Sequence, residues 1–145
     1  MESDRNARDE VGLLMRALLS GARPAEKPDI RIDAYAAMVA SGLLASLSTL
    51  LLGNPADPRS IARYVRSACL REDRFLSPSD SRIAEAVIRF VMGEPGIVTG
   101  IPMDDQGRVA CGLIVDIAKT LRLSADDLEE VIRAAEAGAA AATEQ

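Results

Sequence analysis

A run of basic residues between positions 59 and 74 holds the side chains best suited to bind an anion. Arg59, Arg63 and Arg66 are four and three positions apart, so on an α-helix they fall within about 60° of one another. We call these three residues the arginine stripe. Guanidinium groups pair well with phosphates and carboxylates. We therefore predict a partner or phosphate contact surface at Arg59, Arg63, Arg66, Arg71 and Arg74, with an ordinary solvated helix face as the alternative.

Carboxylates form a second cluster, at Asp126, Asp127, Glu129 and Glu130. Paired carboxylates can transfer protons or bind Mg²⁺ when one of them is buried. These four follow Ser124 at a predicted helix start, where negative charge stabilises the helix. Capping and solubility explain them better than catalysis.

The segment 103–107 has the acidic residues and glycine of a calcium loop but carries Pro102 where the first ligand should stand. We expect Asp104 or Asp105 to cap a helix there instead.

The absence of histidine removes much of the remaining chemistry. The chain has no histidine and two cysteines, Cys69 and Cys111, so triads built on histidine and zinc sites with histidine ligands are excluded. Each cysteine lies in a predicted helix and is expected to be a free thiol. We predict no catalytic residue, no metal and no cofactor, and hence a protein that is not an enzyme.

Composition favours a single helical domain. The 145 residues suit one domain, and 48% of them are hydrophobic but only 3% aromatic. A core of Leu, Ile, Val, Ala and Met is typical of closely packed helices. The net charge of −5 is opposite to that of most proteins that bind phosphate backbones. We predict one all-α domain spanning residues 1–145.

Helical periodicity and capping signals predict a bundle of about six helices. Asp57-Pro58, Ser77-Pro78 and Ser124 each have the form of a helix start. An irregular loop is expected at about 93–106, with a β-hairpin as the alternative, and fraying at 1–5 and 139–145. The predicted helices cover about 6–19, 33–52, 58–72, 77–93, 107–121 and 124–138.

The uncharged stretch 34–56 decides the expected architecture. It is long enough to cross a bilayer, but its serines and small residues make it only marginally hydrophobic. We therefore expect the helix at 33–52 to be the central, apolar helix of the bundle, with Leu43, Leu47, Leu50 and Leu51 filling one face. No membrane association is predicted. The polar start, residues 1–8, is unlike a secretion signal, and a cytoplasmic location is expected.

These observations favour a non-catalytic helical protein that binds another protein and associates with itself, as a homodimer or other homo-oligomer, in a regulatory role. The positive indication is a surplus of small and apolar positions in residues 34–52 and in the alanine-rich last helix. A nucleic-acid-associated regulator using the arginine stripe is the alternative. A small-ligand-binding protein or enzyme with a carboxylate and arginine site is the second alternative.

Overall fold

The computed structural model describes residues 34–71 and 76–143, and the secondary structure within these ranges is helical, with no strand. They hold five α-helices and one 3₁₀ turn. The helix predicted at 6–19 lies outside the described residues. The elements, in chain order, are α1 (Ala34–Leu52), α2 (Pro58–Leu70), a 3₁₀ turn (Pro78–Asp80), α3 (Ser81–Val91), α4 (Met103–Leu121) and α5 (Ala125–Thr143).

Local chemistry sets three of the helix starts, as predicted. Asp57 caps α2 by accepting a hydrogen bond from the Arg59 amide at 3.2 Å, with Pro58 in the first turn. At the next start, the Ser77 amide donates to Asp80 Oδ2 at 3.1 Å. Ser124 Oγ accepts from the Asp127 amide at 3.1 Å before α5. Each bond satisfies a backbone group that the first helical turn leaves unpaired.

The segment between α3 and α4 is an irregular loop, which confirms that prediction and excludes the hairpin. Turns run through residues 92–101, held by bonds such as the Thr99 amide to the Gly96 oxygen at 3.1 Å. Helix α4 begins at Met103, four residues before the predicted start, with Pro102 at its cap. Asp104 and Asp105 therefore lie inside the first turn, and the prediction that one of them caps the helix is wrong.

Helix α4, not α1, is the most deeply buried helix of the described chain. Every residue from Gly112 to Ala118 is buried, and seven consecutive residues cover the whole circumference of a helix. Helix α4 packs on α1 and α3. In α1, Leu43 and Leu47 are fully buried, but Leu50 is 59% exposed. The helix predicted to be central, at 33–52, packs on α3, α4 and α5 but is less buried than α4, and the expectation that Leu50 fills a buried face is wrong.

Helix α5 packs on α1 where both helices carry small residues. A Cβ placed on Gly42 would lie 3.7 Å from the Cβ of Ala135, so the two backbones approach closely at this point. Val39 and Ala139 are buried together in the same contact. The helix continues to Thr143, through a segment expected to fray.

None of the helices in the described ranges has the length and hydrophobicity that spanning a bilayer requires.

Candidate functional site

The arginine stripe lies on the outward face of α2. The opposite face of this helix is apolar and buried, with Ile61 and Val65 in the core, because residues three and four apart share a helix face. Arg59, Arg63 and Arg66 are exposed. No ion pair joins any of them to a carboxylate within residues 34–71 and 76–143. Their charge faces solvent.

Leu70 extends this row of exposed side chains. It follows Arg66 by four residues, one helical turn, and therefore lies on the same side of α2. Its side chain is 67% exposed, the largest exposure among the exposed large hydrophobic residues of the described chain. We call Arg59, Arg63, Arg66 and Leu70 the docking face. Leu70 is not among the contact residues predicted from the sequence, although its spacing from Arg66 was a usable signal.

The Arg71 side chain does not face solvent beside the arginine stripe but turns toward α4. Its Nη1 lies 2.8 Å from Asp116 Oδ1 and 3.0 Å from Thr120 Oγ1, on α4. The Arg71 side chain is 33% exposed, whereas that of Asp116 is 6% exposed. The guanidinium therefore compensates a buried carboxylate and joins the end of α2 to α4. Arg74, the last predicted contact residue, lies outside the described residues.

Tyr64 completes this buried cluster. Its hydroxyl donates a hydrogen bond to Asp116 Oδ2. Burial, reinforced by the hydrogen bond to the Asp116 carboxylate, raises the pKa of Tyr64 above its ordinary value. A phenol held in its protonated form can donate a hydrogen bond but cannot act as a base at neutral pH. The cluster therefore joins α2 to α4 through hydrogen bonds.

Asp116 could have been singled out in the sequence, because it is the single charge in the apolar run 113–118. A buried carboxylate needs a partner. The sequence could not say that the partners are Tyr64 and Arg71, which are 52 and 45 positions away.

A second buried carboxylate, Asp80, anchors the start of α3. It accepts two hydrogen bonds from the Arg108 guanidinium on α4, at 2.9 and 3.0 Å. The Arg108 hydrogen bonds hold the pKa of Asp80 below its ordinary value. Arg108 is 55% exposed, so only the acid is removed from water. All the charges of this group are paired, and its role is to hold the two helices together.

A shallow cleft of about 360 Å³ lies between the α1–α2 connection and the end of α3. Proline, isoleucine and methionine side chains line it, and Arg89 beside it pairs with Glu94 at 2.8 Å. An anion entering the cleft would have to replace Glu94. Neither the cleft nor the described acidic residues form a group of three or more side chains able to hold a metal ion.

The outward face of α5 carries acidic side chains in its first turns and small side chains further along. Asp126, Asp127 and Glu130 are exposed, whereas Glu129 pairs with Arg133 at 3.1 Å. Further along, Ala134, Ala137 and Ala141 are also exposed. This face carries charge opposite to that of the docking face.

Neither cysteine forms a disulfide. Cys69 is buried, and burial raises the pKa of the Cys111 thiol. A buried thiol that stays protonated is a poor nucleophile.

Comparison with protein families, curated proteins and solved structures finds no match to this chain.

Proposed function

We propose that this protein is a non-catalytic, helical interaction or regulatory protein that binds an acidic partner protein through the docking face. One observation carries the proposal: three exposed arginines without ion pairs to described residues stand in line with a 67% exposed leucine. Charged side chains around an exposed apolar residue are typical of protein interfaces, in which the apolar group anchors and the charges orient.

Net charge supports a protein partner over a nucleic acid. The chain has 22 acidic against 17 basic residues, so a phosphate backbone would be repelled by most of the surface while it contacts a short row of arginines. An acidic helix or loop touches only that row. Because steering by charge acts within about one Debye length, roughly 8 Å at physiological salt, a small partner surface is less affected by the rest of the molecule.

The test is affinity capture from a lysate of the source cells with three forms of the protein. The wild type is compared with the docking-face variant Arg59→Glu/Arg63→Glu and with a control, Arg82→Glu/Arg122→Glu, which makes the same charge change at exposed positions outside α2. We expect a protein retained by the wild type and the control to be lost from the docking-face variant. Identical captured proteins in all three samples would refute the assignment of this face.

The arginine stripe also suits the phosphates of a nucleic acid, which makes a nucleic-acid-associated regulator the second candidate. Fluorescence anisotropy with labelled DNA and RNA decides between them. Binding that weakens steeply between roughly 50 and 200 mM salt, and that the docking-face variant loses, would replace the protein-partner proposal with this one. Absence of binding at the lower salt removes it.

We also propose a cytoplasmic location. Two cysteines that form no disulfide suit a compartment in which cysteines stay reduced. Cell fractionation with an antibody to the protein tests this.

A further inference from the structure

We propose that the docking face binds the outward face of α5 on a second copy of this chain, so that the protein associates with itself through unlike faces. This inference rests on the proposed function and names its partner. It follows from three properties of the described helices: charge, spacing and side-chain size.

Charge complementarity is the first property. The docking face presents Arg59, Arg63 and Arg66, and the exposed side chains at the start of α5 include Asp126, Asp127 and Glu130. Each set is exposed, and neither forms an ion pair with a described residue. Opposite charges brought together at an interface accelerate association and fix its register.

Spacing is the second property. On α2, Arg63 and Leu70 follow Arg59 by four and eleven positions. On α5, Glu130 and Ala137 follow Asp126 by the same intervals. Both rows extend over eleven residues, or about 16 Å of helix. Two helices packed side by side in the same direction would therefore bring Arg59 to Asp126 and Arg63 to Glu130.

Side-chain size is the third property. In this register Leu70 meets the stretch of α5 where the exposed residues are Ala134, Ala137 and Ala141. Small side chains let a neighbouring helix approach closely and leave room for a larger side chain between them. Burial of the exposed Leu70 side chain would contribute the apolar part of the contact.

One like-charge pair limits the strength of the contact. In the register that pairs Arg59 with Asp126, Arg66 would lie beside Arg133, because each of these arginines comes seven residues later on its own helix. The Arg133 guanidinium is held by Glu129 at 3.1 Å, and this pairing reduces its repulsion of Arg66. We therefore expect a salt-sensitive association of moderate affinity.

The two faces belong to different parts of the helix array, because α5 packs on α1 whereas α2 packs on α3. A contact between unlike faces is either made twice across a two-fold axis or repeated head to tail. Both arrangements depend on the same residues, so the test below applies to either.

The experiment is a charge exchange followed by light scattering on purified protein. One variant reverses the docking face, Arg59→Glu/Arg63→Glu, and the other reverses the α5 face, Asp126→Arg/Glu130→Arg. The Arg82→Glu/Arg122→Glu protein is the control. Circular dichroism first establishes that all four proteins are folded. Molar mass is then measured over a wide concentration range at low and at high salt.

We expect the wild type and the control to associate at low salt, and each reversed variant alone to associate at least about tenfold more weakly. Mixing the two reversed variants restores opposite charges across the contact and should restore the wild-type mass. A wild type that stays monomeric, or an association that reversal leaves unchanged or mixing fails to restore, would overturn the inference. A monomeric wild type whose docking face still captures another protein would leave the proposed function standing.

Discussion

Asp116 is one of two buried carboxylates in the described part of the chain. Its carboxylate is buried in α4, and both of its oxygens are used, one by Tyr64 and one by Arg71. A buried charge of this kind is tolerated because its partners replace the water it has lost. Removing the charge should therefore cost more than removing one of the hydrogen bonds.

Asp116→Asn should lower the free energy of unfolding by about 2–3 kcal/mol, because it leaves Arg71 without its carboxylate and Tyr64 with a weaker acceptor. Tyr64→Phe removes one hydrogen bond to a charged group and should cost about 1.5 kcal/mol. Urea unfolding followed by circular dichroism measures both. Asp104→Asn, an exposed carboxylate of the same helix, is the control and should change stability by less than about 0.5 kcal/mol. Equal losses in Asp116→Asn and the control would show that the cluster contributes no stability.

The helices are held together by hydrogen-bonded charged side chains as well as by their apolar faces. The start of α3 shows this: Asp80 completes the local capping arrangement with Ser77 and also binds Arg108 of α4. One carboxylate therefore serves a local and a tertiary role. Helix α2 is joined to α4 in a similar way, through the Asp116 cluster.

The Asp80–Arg108 pair predicts a stability that depends on pH. Because Arg108 lowers the pKa of Asp80 below its ordinary value of 3.8 in the folded state, the pair stabilises the fold above that value. This contribution is lost as the pH falls from there through the lower, folded-state pKa. Arg108→Gln should therefore be less stable than the wild type at neutral pH, and the difference should shrink on acidification.

Urea unfolding at a series of pH values from about 6 to 2.5 checks this. Arg82→Gln, at an exposed arginine near the start of α3, controls for the loss of one positive charge. A stability difference that stays constant over the whole range would argue against the pair as its origin.

At the scale of the whole molecule, α4 is the most deeply buried of the described helices, and α5 packs against α1. In the α1–α5 contact a Cβ added at Gly42 would lie 3.7 Å from the Cβ of Ala135, which is an ordinary contact for a methyl group and leaves little room for a larger side chain. Residue size at this point sets the distance between the two helices, and hence the position of the outward face of α5.

Gly42→Ala should leave the fold intact and raise stability by up to about 1 kcal/mol, because the new methyl group would make an ordinary contact and alanine favours helix. Gly42→Leu should push α1 and α5 apart and cost about 1–3 kcal/mol. Thermal unfolding of dilute protein measures both. Gly138→Leu is the matched control, because nothing lies within 4 Å of a Cβ placed there. If Gly42→Leu is as stable as Gly138→Leu, the close contact between α1 and α5 is wrong.

The sequence by itself determined the helical class and most of the element boundaries. Helix starts at Asp57-Pro58, Ser77-Pro78 and Ser124 were predictable because a cap involves side chains and amides within three residues of one another. The outward direction of Arg59, Arg63 and Arg66 was predictable as well, since it depends only on the helical period and the apolar residues opposite.

Only the tertiary structure decided which helix is most deeply buried and which charges meet. Hydrophobicity favoured α1, yet α4 is the more deeply buried helix although it contains Asp116, whose carboxylate is bound by Tyr64 and Arg71 of the α2 region. Leu50 and Leu70 remain exposed although their residue type predicts burial. Capping and periodicity act between near neighbours in the chain, whereas burial and ion pairing depend on residues that only folding brings together.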